Sequence, residues 1–235
     1  MTTMEDSSTT ELEMGGDGEA EACPVEILTM IRRWRNEKYA PELLPFDETT
    51  VQFCAEIVTY VTEGLDEESV AGGQDSGDPD FGLRTYELER IKYILRDYLR
   101  LRLKKLSQWP VHYMHAQNQH LLSSKERIWL HEFWDNKRKF LENRFLCALP
   151  ETKRNLDSQV DDKLDMIRHP RLEKHIYARI CGDLGKLTPS LSSSPDGSGT
   201  QQPLELIEGN TYLVQYSVIR DFLIQAEHDG KVELI

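Results

Sequence analysis

Between residues 24 and 148, large apolar side chains recur at intervals of three and four, the period of helices buried along one side. Ile27, Leu28, Ile31 and Trp34 share one face of a helix predicted over 24–38, with Pro24 near its N-terminus. Val51, Phe53, Cys54, Ile57, Val58 and Val61 mark a second helix over 47–65, with Asp47 as its cap. A third is predicted over about 82–108 and a fourth over about 124–148. The fourth presents Leu130, Phe133, Trp134, Leu141 and Phe145, and SSKE (123–126) before it has capping-box spacing for Ser123 and Glu126. After residue 170 the period shortens. HIYARI (175–180), LELI (204–207) and NTYLVQY (210–216) read as short strands. SVIRDFLIQAE (217–227) reads as a helix capped by Ser217, HDGK (228–231) as a turn and VELI (232–235) as a last strand.

The pattern predicts an α+β fold: an N-terminal all-helical bundle domain followed by a small C-terminal β-rich domain. The expected limits are 24–150 for the helical domain, 151–169 for a linker and 170–235 for the β-rich domain. Three low-complexity stretches interrupt them: a disordered acidic tail over 1–23, a Gly/Asp-rich loop over 66–80, and a Ser/Pro/Gly-rich insertion over 186–203.

The third helix is apolar on more than one side. Leu88, Ile91, Leu95, Tyr98, Arg102 and Leu106 form one stripe, interrupted only by Arg102. Tyr93, Ile94, Leu99, Leu101 and Leu103 point elsewhere, so the helix is expected to be central and to be covered by a partner on a second side. Residues 84–105 also carry net +5, from eight basic and three acidic residues. Those cations either contact phosphates or pair with carboxylates of adjacent helices and partner chains. Arg90 and Arg100 are expected to be paired and partly buried.

Composition narrows the function by exclusion. Net charge is −13, of which residues 1–22 supply −7, so nucleic-acid binding by the whole surface is disfavoured. No apolar run reaches the roughly 18–20 residues that span a membrane, and the polar N-terminal residues suggest no signal peptide. The four cysteines are scattered without a CxxC pair, as in a reducing compartment. Phosphate-binding Gly loops, GxSxG and HExxH are absent. His112, His115, His120 and His131 cluster in sequence but lack cysteine or carboxylate partners, so a polar inter-helix loop over 111–122 is favoured over a metal site. Neither an enzyme nor a cofactor is expected.

WRNEKYAPELL (34–44) reads as a corner piece. Trp34 closes the first helix's apolar face, and Asn36, Glu37 and Lys38 end it in a polar turn before Tyr39. Pro41 bars Ala40 from helical geometry, after which Leu43 and Leu44 can enter the bundle.

This string, together with ELERIKYILRDYLRLRL (87–103) and the final G-x-V-x-L-I at Gly230, Val232, Leu234 and Ile235, resembles the Sld-five family of GINS-complex subunits. The resemblance covers roughly residues 25–235. The tail, the 66–80 loop and the insertion depart from it, and the 111–122 stretch is unlike the family pattern. It implies a nuclear, non-enzymatic scaffold subunit of a heterotetramer in DNA replication. The implied partners are three sister subunits of the Psf family, the MCM ring helicase and the Cdc-forty-five protein. A replicative polymerase and fork hub proteins are further candidates, DNA contact would be indirect or weak, and no membrane is involved. The implied interface and structural residues are Trp34, Asn36, Glu37, Lys38, Tyr39, Pro41, Leu43, Leu44, Arg90, Ile91, Tyr93, Ile94, Leu95, Tyr98, Leu99, Arg100, Arg102, Leu103, Val232, Leu234 and Ile235. Two rivals stay open: a nucleic-acid module built on the basic third helix, and an adaptor whose acidic tail recruits a basic partner.

Overall fold

A computed structural model describes residues 24–71, 79–154, 156, 167–184, 186–187, 204–225 and 230–235. The acidic tail, most of the 151–169 linker and nearly all of the 186–203 insertion lie outside the described residues.

Helix α1 (Val25–Tyr39) ends where expected, because Ala40 before Pro41 turns to φ −62°, ψ 135°. Helix α2 (Glu48–Ala71) is capped by Asp47, whose carboxylate accepts from the Thr50 N–H at 3.1 Å and from the hydroxyls of Thr49 and Thr50 at 2.8 Å each. Helix α3 (Pro79–Gln108) has 30 residues and is about 45 Å long. These bounds correct the 66–80 loop. The acid-rich turn 66–71 continues the helix, because glutamate and alanine favour helix and the breaking Gly72-Gly73 pair comes only afterwards. Residues 72–78 lie outside the described residues.

The 111–122 stretch is likewise no loop. Pro110 occupies the first position of a short helix α4 (Pro110–Met114), where its missing N–H leaves no bond unmade, and a 3₁₀ turn follows over Ala116–Leu121. Helix α5 (Ser124–Arg144) opens on the anticipated capping box: Glu126 N–H donates to Ser123 Oγ at 3.1 Å and Ser123 N–H to Glu126 Oε2 at 3.0 Å. It stops at Arg144, and Leu146–Ala148 is a 3₁₀ turn.

The C-terminal unit is a three-stranded antiparallel sheet in the order β4-β1-β5, formed by β1 (His175–Ile180), β4 (Thr211–Gln215) and β5 (Val232–Leu234). A separate ladder pairs β2 (Lys186–Leu187) with β3 (Leu204–Glu205), so it closes the base of the insertion. Along β1, Ile176, Ala178 and Ile180 point inward while His175, Tyr177 and Arg179 face out. Helix α6 (Tyr216–Ile224) covers the inner side with Tyr216, Ile219 and Leu223. Ser217 is not its cap. Gln215 is, and Ser217 already lies in the first turn, its N–H bonded to Leu172 O at 3.0 Å.

The sheet core does not stop at the sheet. Ala40 and Leu44, from the corner after α1, belong to the same cluster as Ile180, Val232 and Leu234. The turn before β5 also packs on α1. Gly230 sits at φ +82°, which the backbone of glycine adopts freely, and it lies against the guanidinium of Arg32 on α1.

Strand β5 gives a face-resolved prediction. Leu234 is fully buried and Ile235 half-exposed. Leu234→Ala is expected to lower stability by about 2–5 kcal/mol, and Ile235→Ala by less than about 0.5 kcal/mol, in denaturant unfolding.

Candidate assembly surface and its buried joint

The interruption in the α3 stripe is the centre of the molecule. Arg102 is completely buried. Its Nε and Nη2 grip Glu126 at 2.7 and 3.0 Å, while Nη1 reaches Glu37 at 3.2 Å. Nη1 also donates to Leu44 O at 2.7 Å and Nη2 to Leu121 O at 2.9 Å. These bonds use all five guanidinium donors. The rings of Phe46 and Tyr98 lie 5.0 and 5.6 Å from its central carbon. Lys105, one turn on, places its three donors on Glu37 Oε1 (2.6 Å), Glu37 O (2.5 Å) and Glu42 O (2.7 Å). Two cations and the carboxylates of Glu37 and Glu126 therefore balance within the core. Burial opposes the charge on Arg102, but the Glu126 hydrogen bonds and the Glu37 charge outweigh it, and its pKa stands above the ordinary value. For Lys105 burial wins over Glu37, and its pKa is lowered. Burial also pushes the Tyr98 phenol up to about 12 despite the neighbouring Arg102.

The corner string joins this cluster to the sheet. Glu42 accepts from Tyr216 Oη at 2.8 Å and from Arg220 Nε and Nη2 at 2.5 and 3.0 Å. Asn36 works on the edge strand: its Oδ1 accepts the Leu234 N–H at 2.8 Å and its Nδ2 approaches Val232 O at 3.5 Å, as a neighbouring strand would. The polar turn expected at Asn36–Glu37 is thus buried helix, and only Lys38 and Tyr39 are exposed there. The Lys38 ammonium lies 5.1 Å from the Trp34 ring, whose Nε1 donates to Asp97 at 2.7 Å. The leucine pair divides. Leu43 enters the helical core with Leu106 and Tyr113, but Leu44 enters the sheet core, because Pro41 leaves the segment extended and its alternate residues face opposite ways. Glu42, Lys105 and Arg220 were not singled out from the sequence, since each acts across elements distant along the chain.

Two expected buried arginines are exposed. Among the described residues Arg90 pairs with Glu87, one turn back, and Arg100 forms no ion pair. Helical rotation explains it: Arg102 falls on the Leu95–Tyr98–Leu106 face and Arg100 on the opposite one. Ile94, expected on the second apolar side, is buried against α1 and α2 with Leu95, and Ile91 is half-buried beside them. Tyr93 and Leu99 do face outward, at 58% and 39% exposure, with Leu103 half-buried near them.

Leu99 and Leu103 line a groove of about 570 Å³ between α2, α3 and the start of α5, together with Phe46, Val51 and Ala55. The outer face of the sheet presents a second apolar patch. Tyr177 stands directly opposite Leu213, with Ile235 beside them. Val232 and Leu234 are buried under the same sheet.

Among the described residues no group of three or more His, Cys, Asp or Glu is placed to hold a metal ion. None of the described helices is long and apolar enough to cross a membrane. His112 faces His169. Their Nδ1 atoms lie 2.9 Å apart, so one ring donates and the other accepts.

No protein-family model matches the chain. It is similar to the DNA replication complex GINS protein SLD5 of Arabidopsis thaliana, 30% identical over 233 residues, covering 95% of this chain and 98% of that protein. The protein of the same name from Kluyveromyces lactis is 27% identical over 235 residues, covering 88% of this chain and 78% of its own length. The Homo sapiens protein is 26% identical over 232 residues, covering 94% of each.

Arg102→Ala would leave Glu126 buried without its cation and Glu37 with Lys105 alone, and a loss of about 3–5 kcal/mol is expected in denaturant unfolding. Arg90→Ala and Arg100→Ala should shift stability by less than about 0.5 kcal/mol. A pH effect follows from His112, whose pKa burial and the adjacent His169 hold below its ordinary value of 6.5. The unfolded chain then binds a proton that the folded one refuses, so stability rises with pH across the window below about 6.5. Acidification from about pH 7.5 to 5.5 should lower the unfolding midpoint, and His112→Gln should flatten that slope.

Proposed function

The chain belongs to the GINS SLD5 family, and from that premise we propose that it is a non-enzymatic scaffold subunit of a heterotetrameric GINS complex in DNA replication. One observation carries the reading. The central helix α3, buried along one side around Arg102, leaves Tyr93 and Leu99 uncovered on the other, beside an apolar groove. A helix with two apolar sides is completed by a second protein. The sister subunits of the Psf family are the partners that the relatives' name, which places them in a replication complex, makes natural. The Tyr177–Leu213–Ile235 face of the sheet offers them a second docking surface. In this reading the assembled tetramer joins the MCM ring and the Cdc-forty-five protein in the nucleus, and the ring supplies ATP hydrolysis. Polymerase and hub proteins of the fork attach to the tetramer, and DNA contact by this chain is weak.

The helical unit runs over 24–150 and the β-rich unit over 170–235, with 151–169 linking them. The corner 34–44 is shared by both cores, so the two units are expected to hold a fixed angle in the complex.

Co-expression with the three sister subunits, followed by sizing and native mass measurement, tests the proposal. One copy of each chain is expected. Leu99→Asp should keep the helical circular dichroism of the wild type, because the side chain is partly solvated, and should reduce recovery in the complex at least tenfold. Normal recovery of Leu99→Asp together with a monodisperse wild-type monomer would remove α3 as the assembly face. A nucleic-acid role for the same helix would appear instead as binding that weakens steeply with salt.

A further inference from the structure

The outward face of α3 carries a second pattern between its apolar residues. Arg96, Arg100 and Lys104 follow at every fourth position and so stand in one row, about 6 Å apart along the axis. All three are exposed, and among the described residues none gives any of them a side-chain ion pair or hydrogen bond. Upstream on the same helix the situation differs: Arg84, Arg90 and Lys92 each have a carboxylate partner. Three adjacent unneutralised cations, interleaved with Leu99 and Leu103, are out of character for a chain of net charge −13.

The complementary charge belongs to the chain itself. Residues 1–22 hold seven carboxylates and no lysine or arginine. They join α1 at Pro24, and Ile27 in the first turn of α1 packs with Ile94 and Leu95, level with the start of the row. From Ile94 to Lys104 the helix rises about 15 Å, whereas 22 extended residues reach about 70 Å. Tethering alone holds such a segment at roughly millimolar effective concentration. Spacing agrees as well. Asp17, Glu19 and Glu21 alternate, and an extended chain sets alternate side chains on one side about 6.8 Å apart.

We infer that the acidic N-terminal segment of this same chain lies along the Arg96–Arg100–Lys104 row in the unassembled subunit, and is displaced when a sister subunit covers that face. The contact stands on charge, spacing and reach. The displacement rests on the assembly reading above. The segment then shields an uncovered basic-apolar ridge from non-specific acidic partners until assembly.

Zero-length carbodiimide coupling of carboxylate to amine, read by peptide mass on the dilute full-length chain, tests the contact, since Lys104 is the amine of the row. An equal mixture of isotopically light and heavy chain separates coupling within one molecule from coupling between two. Coupling within one chain from residues 1–22 to Lys104 is expected at about 0.05 M salt and should fall at least fivefold at about 0.5 M. The double variant R96Q/R100Q, altered only at exposed positions, should reduce it at least threefold with unchanged helical circular dichroism. No coupling to Lys104, coupling at similar yield to the exposed Lys137 and Lys139, coupling only between copies, or insensitivity to salt would each overturn the contact. In the co-expressed complex the coupling should disappear, and its persistence there would overturn the displacement. A chain that couples as expected but never joins the sister subunits leaves the contact standing and sinks the assembly reading.

Discussion

A single buried guanidinium holds this chain's parts in register. Arg102 is bonded at once to the end of α1 through Glu37, to the extended corner through Leu44 O, to the 3₁₀ turn through Leu121 O, and to the start of α5 through Glu126. The planar fork of arginine supplies five donors in fixed directions, and a lysine could not meet four segments in this way. Glu126 is committed twice, since the same carboxylate closes the capping box of α5. Removing one partner would therefore disturb a helix start, a helix end and the corner together.

The joint passes its rigidity to the sheet through Glu37, Lys105 and Glu42. Lys105 grips the backbone of both glutamates, and Glu42 anchors α6 through Tyr216 and Arg220. Asn36 finishes the arrangement by satisfying the edge of β5, which would otherwise present unpaired backbone groups. Ala40 and Leu44 then fill the sheet core. The corner string is thus short because every second residue in it faces a different unit.

Much of this was legible in the sequence. Helix periodicity located α1, α3 and the start of α5, and Pro41 marked the corner. The SSKE spacing showed the capping box, and the shortened period located β1. Arg102 itself was visible as the one charge in an apolar stripe. Its partners were not, because Glu37 and Glu126 lie 65 and 24 residues away and look like ordinary helix-end carboxylates. Arg90 and Arg100 were misplaced for a different reason: pairing was expected of the basic residues of α3 as a group, without regard to the rotation that puts these two on the solvent side. Ser217 looked like a cap, yet Tyr216 was already drawn into the helix by its bond to Glu42 under the sheet.

A buried ion cluster is a poor way to gain stability, since apolar side chains of equal volume often do as well or better. What it adds is direction. An apolar plug at position 102 would let α1, α5 and the corner slide over one another with small loss, whereas five directional bonds and a stacked pair of rings admit one arrangement. Direction matters most for a protein whose exposed faces are separate. The α3 ridge and the Tyr177–Leu213–Ile235 patch belong to different units, and a partner can meet both only if the angle between them is set in advance. Pre-organisation of that kind removes an ordering cost from each association step. The charges at Arg102, Glu37, Lys105 and Glu126 therefore serve the surface most directly where they are furthest from it.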